Sequence, residues 1–119
     1  MNDETKIQQF KQMAEADPEN ELGHFSLGKA YLDAGRPEEA VGPLTRATEL
    51  NPRLSKAYQL LGTALLAAGD RQRAIEVMTR GVTVADEQGD RVPRDAMIER
   101  LQELGAAVPA LKSGTTREA

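Results

Sequence analysis

Apolar residues recur along the chain at helical spacing. Leu27, Ala30, Tyr31 and Ala34 are separated by 3, 1 and 3 residues, which puts them on one face of a helix. Gly35 follows, suited to end that helix in a left-handed cap. Pro37 fits the first turn of a second helix, and Glu38 and Glu39 favour its positive end. Ala40, Val41, Leu44, Ala47 and Thr48 form the second apolar face, and Asn51-Pro52 closes it. The order then recurs: Tyr58, Leu61, Ala64, Leu65 and Ala68 lead to Gly69, and Ala74, Ile75, Met78 and Val82 follow. Ahead of these lie Ile7, Phe10, Met13 and Ala14; behind them Met97, Ile98, Leu101 and Leu104 end at Gly105. The pattern predicts an all-α chain of six helices, near 3–16, 20–34, 37–50, 54–68, 71–86 and 93–104, with no strand.

The recurrence is a repeat. LGKAYLDAG begins at Leu27 and LGTALLAAG at Leu61, an offset of 34 residues. Aligning 21–54 on 55–88 gives nine identities in 34 positions, where chance gives about two. Asp17-Pro18 lies 34 residues before Asn51-Pro52, so the chain opens with half a unit. From Leu65 to Leu101 the spacing is 36, which places two inserted residues near Glu87-Gln88-Gly89-Asp90.

A 34-residue helix–turn–helix with this pattern resembles the tetratricopeptide repeat family. The first unit carries the resemblance on Leu27-Gly28, Tyr31, Gly35, Ala40, Leu44, Ala47 and Pro52. The second carries it on Tyr58, Leu61-Gly62, Gly69, Ala74 and Met78. Gly28, Gly62, Ala40 and Ala74 suit close approach of paired helices, and the large residues fill the gaps between them. Three positions depart from the family pattern. His24 stands where a bulky aromatic is usual, Gly81 replaces an Ala, and Asp86 replaces the closing Pro, so the helix before it is free to run past residue 85.

The resemblance implies an α-solenoid, a right-handed superhelical stack of antiparallel helix pairs. Residues 1–105 then form one domain: a half repeat at 3–16, repeats at 21–54 and 55–88, and a C-terminal capping helix at 91–105. Residues 106–119 read as a polar, disordered tail. In such a stack the first helix of each unit lines a concave groove. The groove positions are Leu22, Phe25, Lys29 and Leu32, then Lys56, Gln59, Thr63 and Leu66, then Asp95, Glu99 and Gln102. One end is apolar and weakly basic, the other acidic. The implied function is binding of a peptide or protein segment, with apolar anchors for affinity and Lys29 and Lys56 for an anionic group. Phe25 and Leu60 occupy places where a family-type clamp for a terminal carboxylate needs polar residues. The alternative is self-association, as a homodimer, or service as an accessory module of a larger protein. The stretch ELGHFSLGKAYLDAG also resembles the repeat segment attached in some bacterial proteins to a small iron-trafficking, oxidative-damage-protection domain, although nothing here binds iron by itself.

Composition narrows the chemistry. The 119 residues contain no Cys, which excludes disulfides, thiolate metal sites and Cys nucleophiles. His24 is the only His and sits where the family packs a large side chain, so its expected role is structural. Glu38-Glu39 and Glu19-Asn20-Glu21 lie at helix starts, where carboxylates are favourable without any catalytic duty. No Gly-rich loop follows a strand and no Ser sits in a strained turn. The chain therefore reads as non-enzymatic, with no cofactor and no metal. The net charge of −4, without a cluster of Lys and Arg, argues against nucleic acid as a partner. No apolar run approaches a membrane span of about 18 residues, and Met1-Asn2-Asp3-Glu4 lacks the order of a signal peptide. A cytoplasmic protein is expected. Gly42-Pro43 falls inside a predicted helix, where an interior Pro costs about 3 kcal/mol, and a kink on the solvent side is expected there.

Overall fold

The computed structural model describes residues 2–112. Six helices follow one another: α1 (Asp3–Ala16), α2 (Glu21–Asp33), α3 (Pro37–Leu50), α4 (Ser55–Ala67), α5 (Arg71–Gln88) and α6 (Arg91–Glu103). No strand occurs among the described residues. The starts of α1, α2 and α5 are set by side chains that take up otherwise unbonded N–H groups. Asn2 Oδ1 accepts from the Thr5 amide at 2.8 Å, Asn20 Oδ1 from Leu22 at 2.9 Å and Asp70 Oδ1 from Arg73 at 3.2 Å. The ends of α2, α4 and α6 repeat one device. Gly35, Gly69 and Gly105 have φ of 73°, 88° and 71°. The amide after each reaches back to a buried residue of its helix: Arg36 to Tyr31, Asp70 to Leu65 and Ala106 to Leu101, at 2.9, 2.8 and 2.9 Å. Only glycine takes the left-handed conformation that closes this bond without strain.

Each helix packs on its neighbour in sequence. Helix α4 also touches both α2 and α6, whereas α1, α3 and α5 make no backbone approach to one another. The first helices of the units therefore gather on one face and the second helices spread on the other. A stack built that way bends toward α2, α4 and α6. The result is an α-solenoid with principal extents of 45 × 26 × 23 Å.

The core runs along the stack and is made of Leu, Ala, Val, Ile, Met and the two Tyr. Its tightest contacts are glycines under large residues 16 positions later. A Cβ on Gly28 would stand 2.4 Å from Leu44 Cγ, and one on Gly62 would stand 2.5 Å from Met78 Cγ. Leu44 and Met78 are 0% and 2% exposed, so the missing methylenes let α2 meet α3 and α4 meet α5 without a void. Gly81 is equally close: a Cβ there would stand 2.5 Å from Met97 Sδ and 2.7 Å from Tyr58 Cβ. That is why Gly replaces the family's Ala at this position.

A second device recurs in each unit. His24 Nε2 lies 2.9 Å from the Pro18 carbonyl, and Tyr58 Oη donates to the Pro52 carbonyl at 2.9 Å, 34 residues on. His24 is structural in this sense: it does the work of the bulky aromatic that it replaces. In the third unit the equivalent pair is Arg94 and Asp86, joined by a salt bridge of 3.0 Å with both side chains 3% exposed.

Two boundaries differ from the sequence reading. Helix α5 continues to Gln88, two residues past the 86 of the helix pattern, and Gly89 caps it at φ 68°; α6 begins at Arg91, where the capping helix at 91–105 was expected to begin and ahead of the 93 of the helix pattern. The two inserted residues thus extend helix instead of loop. The other difference is at the C-terminus. Residues 106–112 were expected in a polar tail, yet Ala106, Val108 and Leu111 pack against the core, and the Lys112 amide donates to Asp86 Oδ2 at 2.6 Å. This strap stands where a second helix of the third unit would begin. The rest of the expected tail, residues 113–119, lies outside the described residues.

Helix α3 passes through Gly42-Pro43 as one continuous element. Gly42 is exposed, and beyond its chain neighbours and its own helix backbone nothing lies within 4 Å of where its Cβ would be. It therefore faces solvent, and with no Cβ it avoids the clash that a proline ring imposes on a helical residue before it.

Candidate binding groove

The inward face is carried by α2, α4 and α6, and the 34- and 36-residue offsets bring equivalent positions of these helices side by side. Gln59, Thr63 and Glu99 meet in one hollow between α4 and α6, of about 300 Å³. Met78, Met97 and Ala96 complete its apolar part, and Arg100 and Glu103 its rim. An adjoining hollow of similar volume is lined by Thr63, Leu66, Ala67 and Arg100. Thr63 and Arg100 are common to both, so together they form one continuous depression.

The remaining sequence-predicted positions lie apart from it. Leu22, 53% exposed, sits at the start of α2 in a shallow depression with Asp17, Glu19, Asn20 and Glu21. Phe25 and Leu32 are half-buried and packed against the core. Lys29 lines a separate hollow between α1 and α2. Lys56 is exposed in the first turn of α4, and Gln102 is exposed on α6. Asp95 is half-buried and accepts from Arg94 Nε at 3.0 Å.

Neither lysine expected to hold an anion is unengaged. Lys29 Nζ is 3.1 Å from Asp33 Oδ2, and Lys56 Nζ donates to Gln59 Oε1 at 3.2 Å. Arg100 is the cation that the sequence reading missed. It stands 36 residues after Ala64, which faces the preceding first-type helix and is 0% exposed. A long charged side chain at a small, inward position was the signal that could have found it. Its Nε lies 3.6 Å from Glu103 Oε1, a loose pair with both side chains more than half exposed. The hydroxyl of Thr63 donates to the Gln59 carbonyl at 3.1 Å, which fixes its rotamer and leaves its oxygen able to accept.

The strongest ionic contacts lie elsewhere and are structural. Arg36 grips Glu39 with two bonds of 2.7 Å, reaches Glu4 at 3.0 Å and lies over the Tyr31 ring at 5.1 Å. The hydrogen bonds from Arg36 hold the Glu39 carboxyl below its ordinary range. The hydrogen bond to Asp95, followed by that to Asp86, raises the Arg94 guanidinium further above its already high range. Glu19 pairs with Arg46 at 3.4 Å, and Glu21 accepts from Asn51 Nδ2 at 3.2 Å. Among the described residues no group of three or more His, Asp or Glu is placed to hold a metal ion. No described helix is long and apolar enough to cross a membrane.

On the outer side, where α3 and α5 spread, Thr45, Thr48 and Glu49 face Arg73, Glu76, Val77 and Arg80 across a hollow of about 310 Å³. It is the convex counterpart of the groove.

The fold has counterparts in known proteins. The model of the tetratricopeptide repeat matches residues 7–55 and again 25–90. The TPR repeat-containing protein PA0015 of Pseudomonas aeruginosa is 37% identical over 101 residues, which covers 85% of this chain and 96% of that protein. The small glutamine-rich tetratricopeptide repeat-containing protein 2 of Mycosarcoma maydis is 28% identical over 78 residues, and this chain spans 22% of its length. Among solved structures, the crystal structure of MamA superposes with a TM-score of 0.62 at 29% identity, over 82% of this chain and 63% of that one. With its 34-residue period, helix pairs and paired glycine contacts, the chain belongs to the tetratricopeptide repeat family.

Proposed function

We propose that this protein is a non-catalytic interaction module that holds a segment of a partner protein against the face of α2, α4 and α6. Tetratricopeptide repeats are in general protein–protein interaction modules and are typically non-catalytic. The observation that carries the reading is the continuous depression around Thr63 and Arg100. Leu66 and Ala67 offer apolar contact, while Gln59, Thr63 and Arg100 offer hydrogen bonds to an extended backbone or an acidic side chain. Glu99 and Glu103 flank the Arg and favour partners in which one acidic residue is followed by basic ones.

The test is site-directed photo-crosslinking. A benzophenone amino acid placed at Thr63 is expected to capture the partner from a lysate, and the same group at Arg80 on the convex side is expected not to. The reverse pattern would place binding outside the groove.

A further inference from the structure

Helix α1 is a second-type helix by its register. The 34-residue offset places Phe10 on Leu44 and Met78, and Lys6 on Ala40 and Ala74. In the two full units these positions are covered. Leu44 lies beneath Gly28 and Met78 beneath Gly62, and both Ala40 and Ala74 are 0% exposed. Phe10 is only half-buried. It lines a hollow of about 270 Å³ with Asp3, Lys6 and Gln9 of α1 and with Ser26, Lys29, Ala30 and Asp33 of α2. Among the described residues no helix lies across it. The same cleft one unit on, between α3 and α4, is occupied by α2, and the one after that, between α5 and α6, by α4. The molecule thus displays its own occupant twice.

We infer that the α1/α2 cleft docks an amphipathic helix of a partner protein, lying parallel to α2 and α4, with a small residue over Phe10 and a carboxylate over Lys6. Continuity with the internal stack fixes the helix and its direction. The small residue follows from Gly28 and Gly62, which meet the equivalents of Phe10. The carboxylate follows from the antiparallel geometry of α2 and α3. One turn after Gly28 comes Tyr31, and one turn before Leu44 comes Ala40; both are buried. Where Ala40 becomes Lys6, an acidic residue at the Tyr31 position answers the charge. Among the described residues the Lys6 ammonium has no ion pair or side-chain hydrogen bond, whereas the neighbouring Lys29 is held by Asp33. A second copy of this chain does not supply the helix. Helices α2 and α4 are engaged in their own stack, and α6 carries Ile98 at the glycine position, 36 residues after Gly62. This surface is distinct from the proposed groove, so failure of either reading leaves the other standing.

The probe is a synthetic peptide of residues 20–36 with Tyr31→Glu, titrated into the full chain and followed by amide resonances and by fluorescence anisotropy. Binding is expected with shifts confined to α1 and the facing side of α2. It should weaken at least tenfold when the peptide also carries Gly28→Leu, a change that leaves the protein untouched. Its advantage over the Tyr31→Ala peptide should vanish with the Lys6→Ala protein. Absence of binding, indifference to Gly28→Leu, or shifts in α3 and α4 from displacement of the chain's own α2 would each overturn the proposal. So would sedimentation of the protein as a dimer whose cleft is covered by the second copy.

Discussion

Arg94 Nη1 stands 3.0 Å from Asp86 Oδ1, in the place where the preceding unit has Tyr58 bonded to the Pro52 carbonyl. Asp86 in place of the closing Pro, and Arg94 in place of the preceding unit's Tyr58, amount to one substitution made at both ends of a contact. A neutral bond to a backbone carbonyl has become a buried ion pair, and the carboxylate gains a further donor from the Lys112 amide. Breaking a buried pair costs about 3–5 kcal/mol, because one charge stays buried without its partner. Asp86→Ala is expected at the lower end of that range, since Asp95 still bonds Arg94 Nε. The double variant Asp86→Ala with Arg94→Met should lose less than the two single changes added together. Urea unfolding of the four proteins measures the coupling, and simple additivity would contradict the pairing.

Gly28 and Gly62 make a graded pair. Gly28→Ala drives a Cβ into the branched end of Leu44, whereas Gly62→Ala meets the flexible Met78. Overpacking of this kind costs about 1–3 kcal/mol, with Gly28 expected at the upper end and Gly62 at the lower. Leu44→Ala added to Gly28→Ala should relieve the clash, so that the pair is less destabilised than the separate costs imply. Equal melting temperatures for wild type and Gly28→Ala would show that α2 and α3 do not approach as described.

Pro43 sits in the interior of α3, where it lacks the amide that would bond back to Glu39. Pro43→Ala restores that bond and should stabilise the protein by up to about 3 kcal/mol. An unchanged or lowered unfolding midpoint would give this proline a packing role that outweighs its helix cost.

The C-terminal strap is also a prediction about stability. Truncation after Ala107 removes Val108, Leu111 and the amide that bonds Asp86. The lost half-burial and the lost donor together should cost about 2–4 kcal/mol. Leu111→Asp in the full chain should account for roughly half of this. Calorimetric melting of both proteins checks it, and a truncated chain as stable as the full one would show that the strap contributes nothing.

Much of the fold was legible in the sequence because repetition magnified weak signals. Gly35 alone is a plausible cap; Gly35, Gly69 and Gly105 at matching register are a rule. The first-type helices were legible to within a residue or two because their apolar face and closing glycine coincide. The strap was missed because Val108 and Leu111 carry no period, and two apolar residues in extended chain look like any linker. The roles of His24 and Asp86 were hidden because each depends on a partner at the far side of a turn. The groove was legible as a face and not as a site. Spacing placed Gln59, Thr63 and Glu99 on one surface, but could not say that Asp33 neutralises Lys29, that Phe25 leans on the core, or that Arg100 enters from the next helix.

The central claim is that the face of α2, α4 and α6 binds the partner, and one titration tests it. The segment captured by crosslinking is titrated calorimetrically into wild type, Thr63→Arg and Arg80→Glu, with melting curves for each. Thr63 is exposed and shared by both hollows, so a bulky cation there fills the depression without replacing a core residue. Thr63→Arg is expected to weaken binding by about 2 kcal/mol or more, the size of effect that a change at the centre of an interface produces. Arg80→Glu should bind as wild type does. Normal binding by Thr63→Arg together with loss of binding by Arg80→Glu would contradict the account.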